Sequence, residues 1–337
     1  MAWNVYVTRR IPDAALEVLR RECGGFEMNP HDRAATRAEL LDAVKGRDGV
    51  VCLLTDTIDD ELMAAAGPRC RVFANMAVGY DNIDLAAATR RGILVTNTPG
   101  VLTETTADLA WALLFAVARR IVEADGYFRA GRWTGWGPMQ FLGHDIHGST
   151  LGVIGAGRIG VAVALRSVGF RMRVLYTDPQ ERAELARIGA SRVPLEHLLR
   201  ESDFVTIHVP LVPATRHLIG ARELSQMKPT AYLINTSRGP VVDEAALVAA
   251  LKEKRIAGAG LDVYENEPSP APGLTELENV VCIPHLGSAT LATRSRMAVM
   301  AAENLVAALR GERPPNLVNP EVLPAAPADD RGATAGR

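Results

Sequence analysis

Short apolar runs alternate with amphipathic stretches from the start of the chain. Residues 5–7 form an apolar run followed by the amphipathic stretch 13–21, and 50–54 is followed in the same way by 59–66. Runs at 71–75 and 93–96 continue the series, with a helix expected over 84–91 between them. Apolar runs of strand length interleaved with helical stretches predict a parallel sheet with crossover helices. The first hundred residues therefore read as one α/β unit.

Pro99-Gly100 breaks this pattern, and Thr103-Glu104-Thr105-Thr106 opens a long apolar helix through Leu109, Leu113 and Val117 to Arg119-Arg120. This helix is expected to carry the chain into a second domain. The next segment, Gly131-Arg132-Trp133-Thr134-Gly135-Trp136-Gly137-Pro138, fits neither a helical nor a strand period and reads as a loop or arm. A second α/β series follows, with strands expected at 151–154, 173–176, 204–208, 231–235 and 258–263 and a helix from about Gly157. About six such strands make a second doubly wound sheet. A last helix, 289–309, is expected to pack back on the first unit. The domains are then 1–99 with about 288–323, and 100–287, while the Ala-, Pro- and Gly-rich stretch 324–337 is expected to be disordered.

The strongest motif is Gly155-Ala156-Gly157-Arg158-Ile159-Gly160, which follows the apolar strand and opens a helix. In a dinucleotide fingerprint the first glycine permits a tight turn, the second lets the backbone approach the pyrophosphate, and the third allows close helix packing. The helix N-terminus then faces the phosphate charge. Asp178, at the end of the next strand, lies where a carboxylate binds the ribose hydroxyls. Its charge would repel the 2′-phosphate of NADP, and Pro179 and Gln180 do not offset it, so NAD(H) is preferred over NADP(H). Arg182 is the nearest cation.

Composition narrows the partner. At 337 residues the chain is long enough for two domains with a cleft between them. A net charge of −2 gives no global field for nucleic acid or an anionic membrane. No apolar run of about 18 residues predicts a membrane span, and the first residues lack the charged-then-apolar pattern of a secretory signal. A cytoplasmic protein with a small-molecule partner is expected. Cys23, Cys52, Cys70 and Cys282 have no CxxC spacing and read as reduced structural thiols; no metal ligands are assigned.

Hydride transfer to a carbonyl needs a proton donor for the developing alkoxide and a fixed cation for the substrate. Three polar positions that follow predicted strands meet this need: Arg238 in Asn235-Thr236-Ser237-Arg238-Gly239, Glu267 in Asp262-Val263-Tyr264-Glu265-Asn266-Glu267-Pro268, and His285 in Pro284-His285-Leu286-Gly287-Ser288. A guanidinium grips a carboxylate with two hydrogen bonds, and a carboxylate beside an imidazole favours its protonated form. Spacing alone does not choose among Glu267, Glu265 and Asp262.

These three segments, with the glycine motif upstream, resemble the signatures of the D-isomer-specific 2-hydroxyacid dehydrogenase family over nearly the whole chain. The resemblance implies two Rossmann-like domains flanking an active-site cleft, the first binding substrate and the second NAD. It implies Arg238, Glu267 and His285 as the catalytic set, with His285 as proton donor. It further implies that Asp262 and Thr106 lie near the nicotinamide, that Val209, Pro210, Thr236 and Gly287 line the cofactor, and that backbone amides near Val78 and Gly79 hold the substrate carboxylate. His208 is expected along the cofactor without a catalytic role. The segments 75–84 and 133–143 look most like the glyoxylate/hydroxypyruvate reductase branch, which implies a homodimer in which Trp136 of the arm reaches the partner's active site. Glyoxylate or hydroxypyruvate is then the favoured 2-oxo acid, reduced to the D-2-hydroxy acid. Formate dehydrogenases of this superfamily carry Gln at the position of Glu267 and phosphite dehydrogenases Lys at that of Val78, so both fit less well. A dehydrogenase for 3-phosphoglycerate and an NADH-sensing corepressor-like protein remain as alternatives.

Overall fold

The computed structural model describes residues 2–323, and the stretch from Pro324 onward lies outside the described residues. The chain forms two compact units, one from residues up to Val101 together with those from Leu291 onward, the other Leu102–Thr290.

The first unit holds a five-stranded sheet of β1 (Val5–Val7), β2 (Glu27–Met28), β3 (Gly49–Cys52), β4 (Val72–Asn75) and β5 (Leu94–Thr96). All pairings are parallel and the order is β2-β1-β3-β4-β5, so the direction of winding reverses between β1 and β3. β1, β3, β4 and β5 are buried throughout, which is why each reads as a largely apolar run. The helix Leu291–Leu309 packs on β3, β4 and the helix Asp13–Cys23, burying Met297, Ala301, Leu305 and Leu309. Beyond it the chain returns to β5: Val318 donates its N–H to Val95 O, and the Asn319 side chain accepts from Val95 N and donates to Ile93 O.

The second unit holds seven parallel strands: β6 (Thr150–Ile154), β7 (Arg173–Thr177), β8 (Ser191–Arg192), β9 (Phe204–Ile207), β10 (Tyr232–Asn235), β11 (Gly258–Leu261) and β12 (Val280–Cys282). Their order is β12-β11-β10-β9-β6-β7-β8. The winding reverses between β6 and β9, the place where open α/β sheets bind ligands at the carboxyl ends of their strands. One apolar layer, with Leu113, Leu114, Val163 and Phe204, covers one face of this sheet. A second, with Leu198, Leu224, Leu247 and Leu251, covers the other.

The helix after Arg120 and the edge strands β2 and β8 depart from the sequence expectation. The apolar helix Thr103–Ala118 ends where Arg120 adopts φ 53, and a separate helix, Ile121–Arg129, follows. That helix buries none of its residues, so its apolar positions mark no core face and give the pattern nothing to report. β8 is a two-residue exposed edge strand, too short and polar to register as a run.

Candidate active site

All the candidate polar residues of the second unit except Thr106 and Trp136 follow the carboxyl ends of its strands. The glycine turn follows β6 directly. Gly155 has φ +89, in the left-handed region, and a Cβ there would lie 2.7 Å from Val209 Cγ1 and 2.8 Å from Val209 N. At Gly160, inside the helix Arg158–Arg166, a Cβ would lie 2.0 Å from Gly155 O. Both positions exclude any side chain for reasons internal to the fold. Gly157, the N-cap of that helix, is different: a Cβ there would meet nothing within 4 Å. The open space at Gly157, the exposed Arg158 and the half-buried Ile159 leave the helix N-terminus accessible to an anion.

Asp178, just past β7, closes this turn from the other side. Its carboxylate accepts from Ala156 N at 2.9 Å, Gln180 N at 2.9 Å and the Arg182 guanidinium at 3.0 Å, and its side chain is only 8% exposed. The negative charge expected to face a 2′-phosphate is thus partly neutralised by Arg182. Arg192 of β8 adds a second guanidinium, donating to the carbonyls of Asp178 and Pro179 at 2.8 and 2.7 Å. Sequence reading missed Arg192; its signal was a basic residue on a strand registered beside Tyr176 of β7.

After β9, His208 bonds through Nε2 to Thr206 Oγ1 at 2.8 Å, while Nδ1 is buried without a partner. Burial pushes its imidazole down to about 3, so the ring is neutral near neutral pH and unsuited to proton donation. Val209 is half-buried and Pro210 exposed at the same end. Thr236, after β10, has its hydroxyl oxygen buried without a partner. Buried polar atoms left unmatched cost about 1–3 kcal/mol each, so two of them at the ends of neighbouring strands mark where a polar ligand fits.

The loops after β10, β11 and β12 carry the charged residues. Asn235 shapes the first of these: its side chain accepts from Ser237 N and donates to Arg238 O, both at 3.0 Å, which holds Arg238 in extended geometry, half-buried. His285 sits at φ 54, an uncommon value for a residue with a side chain, and its N–H donates to Asp262 O at 2.9 Å. Its Nδ1 meets Glu267 Oε2 at 2.9 Å, and Glu267 Oε1 accepts from Tyr264 N at 3.1 Å. Burial pushes the Glu267 carboxyl up, but the His285 hydrogen bond and charge, the Tyr264 amide and the Arg238 charge together hold it below its usual range. The pair is thus a carboxylate in direct contact with an imidazole nitrogen.

The three acids of the run 262–267, which spacing could not separate, have three different partners. Glu267 meets His285. Asp262 is fully buried and accepts from the amides of Leu286 and Gly287; burial raises its carboxyl above the ordinary value against the pull of these amides and of His285. Glu265 meets His217 Nε2 at 2.6 Å. Thr106 joins Asp262 at Gly287: its buried hydroxyl donates to Gly287 O at 3.0 Å.

In the first unit, Val78 and Gly79 follow β4 in a half-exposed loop. Their carbonyls accept from the Asn97 and Asn75 side-chain amides at 2.8 and 3.0 Å, which fixes the orientation of the intervening peptides. Trp136, in the arm, is 84% exposed.

The sequence model of the D-isomer specific 2-hydroxyacid dehydrogenase NAD binding domain matches residues 111–287. A glyoxylate reductase of Korarchaeum cryptofilum is 55% identical over 329 residues, covering 96% of this chain and 98% of that protein. This chain belongs to the D-isomer-specific 2-hydroxyacid dehydrogenases. Among solved structures, a glyoxylate reductase from Paecilomyes thermophila superposes with a TM-score of 0.84 at 32% identity, covering 94% of this chain and 98% of that one. An NADPH-dependent glyoxylate/hydroxypyruvate reductase from Sinorhizobium meliloti, in complex with NADP and malonate, does so with a TM-score of 0.83 at 34% identity, covering 97% and 100%. Membership gives the second unit of this dehydrogenase a nicotinamide cofactor. The glycine turn, open at Gly157, and the unpartnered atoms of His208 and Thr236 fit one. Among the described residues, no helix of the dehydrogenase is long and apolar enough to cross a membrane.

Proposed function

We propose that this dehydrogenase reduces a small 2-oxo acid, glyoxylate or hydroxypyruvate, to the 2-hydroxy acid of D configuration where the product is chiral. The observation that carries the reading is the 2.9 Å contact between His285 Nδ1 and Glu267, with Arg238 close enough to lower the Glu267 carboxyl. Because Nδ1 is engaged by the carboxylate, Nε2 is the atom of His285 that presents a proton to the substrate. The ionised Glu267 favours the protonated imidazole, so the ring donates to the carbonyl oxygen as negative charge develops there. Arg238 holds the substrate through its carboxylate and polarises the carbonyl. Backbone amides of the Val78–Gly79 loop are assigned to the substrate carboxylate. When bound, the nicotinamide cofactor supplies the hydride; Thr106, Asp262 and Gly287 shape its nicotinamide end, and Gly155–Gly160, Val209, Pro210 and Thr236 its remaining length. In the reverse direction neutral His285 takes the proton from the hydroxyl.

Three finer assignments belong to this reading. NADH is preferred over NADPH on the assignment of the Asp178 carboxylate, bound through Oδ2 to Ala156 N, to the ribose hydroxyls; Arg182, held on the same carboxylate, is the residue whose release would admit a 2′-phosphate. The chain forms a homodimer through its arm and the helix before it, where Phe128, Trp133, Trp136, Met139 and Leu142 are all more than half exposed. Trp136 is assigned to the partner's substrate. Sequence identity of 55% with a glyoxylate reductase over nearly the full length favours a turning-over enzyme over a corepressor-like NADH sensor.

The test is steady-state reduction of a panel of 2-oxo acids with NADH and with NADPH. The expected result is the highest kcat/KM for glyoxylate or hydroxypyruvate with NADH. A branched or aromatic 2-oxo acid favoured by about tenfold, equivalent to about 1.4 kcal/mol in the barrier, would overturn the substrate assignment. Tight NADH binding with negligible turnover across the panel would overturn the enzyme reading.

A further inference from the structure

Glu265 lies two residues before Glu267, and nothing in the proton-transfer chemistry uses it. Its surroundings are nevertheless built. One carboxylate oxygen meets His217 Nε2 at 2.6 Å, with the Arg216 guanidinium at 3.5 Å. The other accepts from Glu244 N at 3.4 Å, and the Glu265 N–H donates in return to the buried Glu244 carboxylate at 3.1 Å. The side chain of Glu265 is 17% exposed, whereas that of His217 is 41% exposed, so the clip runs from a shielded carboxylate to a more open imidazole.

Two of these partners are tied to the segment that follows Arg238, Glu244 as part of it and His217 through its backbone. Glu244 begins the helix reached six residues after Arg238. The His217 N–H donates to Pro240 O at 2.8 Å, and the Ile219 N–H to Val241 O at 3.1 Å, so the 217–219 segment is laced along the same stretch. Gly239, next to Arg238, is pressed so closely on the Glu267 loop that a Cβ would fall 1.9 Å from Tyr264 O and 2.4 Å from Glu265 N. The cation loop and the acid loop are therefore in backbone contact, and Glu265 is the side chain that ties them on either side of it.

We propose that Glu265, clipped to His217 and Glu244, is a positioning residue that fixes the register between the Arg238 loop and the Glu267 loop. The proposal rests on the roles assigned above to Arg238, Glu267 and His285. Productive geometry in such a site is narrow, and a displacement of about 1 Å can cost about a hundredfold in rate. Losing the clip should disturb both loops at once, raising KM through Arg238 and lowering kcat through the Glu267–His285 pair. The glycine turn lies on other strands and should be unaffected.

The experiment compares Glu265→Ala, Glu265→Gln and the parent for kcat, KM, the pH profile of glyoxylate reduction, NADH affinity by fluorescence and Tm. Glu265→Ala is expected to lower kcat/KM by about tenfold or more, in both KM and kcat, with NADH affinity within about twofold. Glu265→Gln, which keeps the shape and one acceptor oxygen, is expected to recover most of the loss. Parent-like kcat, KM and pH profile in folded Glu265→Ala would overturn the proposal, as would a lowered Tm with unchanged kinetics. Should Glu265→Ala fail to fold, His217→Ala reads the same clip from its more exposed side; a smaller fall, of about threefold in kcat/KM, is expected there, and an unchanged value overturns the proposal. A parallel His285→Ala variant separates the two failures. Full activity in that variant would refute the assigned chemistry, whereas an inactive His285→Ala beside a parent-like Glu265→Ala refutes only the positioning role.

Discussion

The glycine turn after β6 and the acid loops after β11 and β12 sit on one sheet but are built on opposite terms. The turn works by leaving side chains out: Gly155 and Gly160 are demanded by the fold, and Gly157 faces open space. The acid loops work by assigning each side chain a partner, with Glu267 on His285, Asp262 on the Leu286 and Gly287 amides, and Glu265 on His217. A backbone-built site tolerates little change in shape, and a side-chain-built site little change in chemistry. Substitutions at the two places should therefore fail differently.

The largest effect is expected at the proton donor. His285→Ala should lower kcat for 2-oxo acid reduction by about 10²- to 10⁴-fold, the usual contribution of a positioned general acid, while NADH still binds; single-turnover and fluorescence titrations read the two separately. Arg238→Ala should follow, with a loss of about 10²- to 10³-fold in kcat/KM, as for removal of a donor aimed at developing charge. Loss of NADH affinity without loss of turnover would contradict its place on the acid side of the comparison. At the turn, Gly160→Ala should lower stability by about 1–3 kcal/mol through overpacking against Gly155 O, seen as a fall in Tm. The smallest effect is expected from Gly157→Ala, which should leave Tm unchanged and weaken NADH by about tenfold, or about 1.4 kcal/mol. A Gly157→Ala variant that loses Tm but keeps its NADH affinity would erase the distinction between the two glycines.

The same contrast explains what could be read from the sequence. Parallel strands buried on both faces announce themselves as apolar runs, so β3, β4, β9 and β10 were legible to within a few residues. The exposed edges β2 and β8, two residues each, were not, because neither burial nor period marks them. The glycine turn was legible because its three glycines fall within Gly155–Gly160, directly after an apolar strand. The acid run 262–267 was not resolvable from spacing, because its three carboxylates are told apart by partners on other segments, at 217, 285 and 286–287. Family resemblance had to choose Glu267, and of the three it is the one whose carboxylate meets the His285 ring. Asp178 falls between the two cases: its place at the end of β7 was readable, but its pairing with Arg182 and the second guanidinium of Arg192 depend on the fold.

The central claim is that the Glu267–His285 pair delivers the proton. Glu267 is held below its usual range, so it is ionised across neutral pH and its charge supports the protonated ring. Reduction needs that protonated form and should lose rate as pH rises. The most direct measurement is the pH dependence of kcat/KM for glyoxylate reduction in the parent and in Glu267→Gln. The account predicts that the alkaline limb moves to lower pH when the carboxylate charge is removed. An alkaline limb at the same pH in both proteins would contradict it.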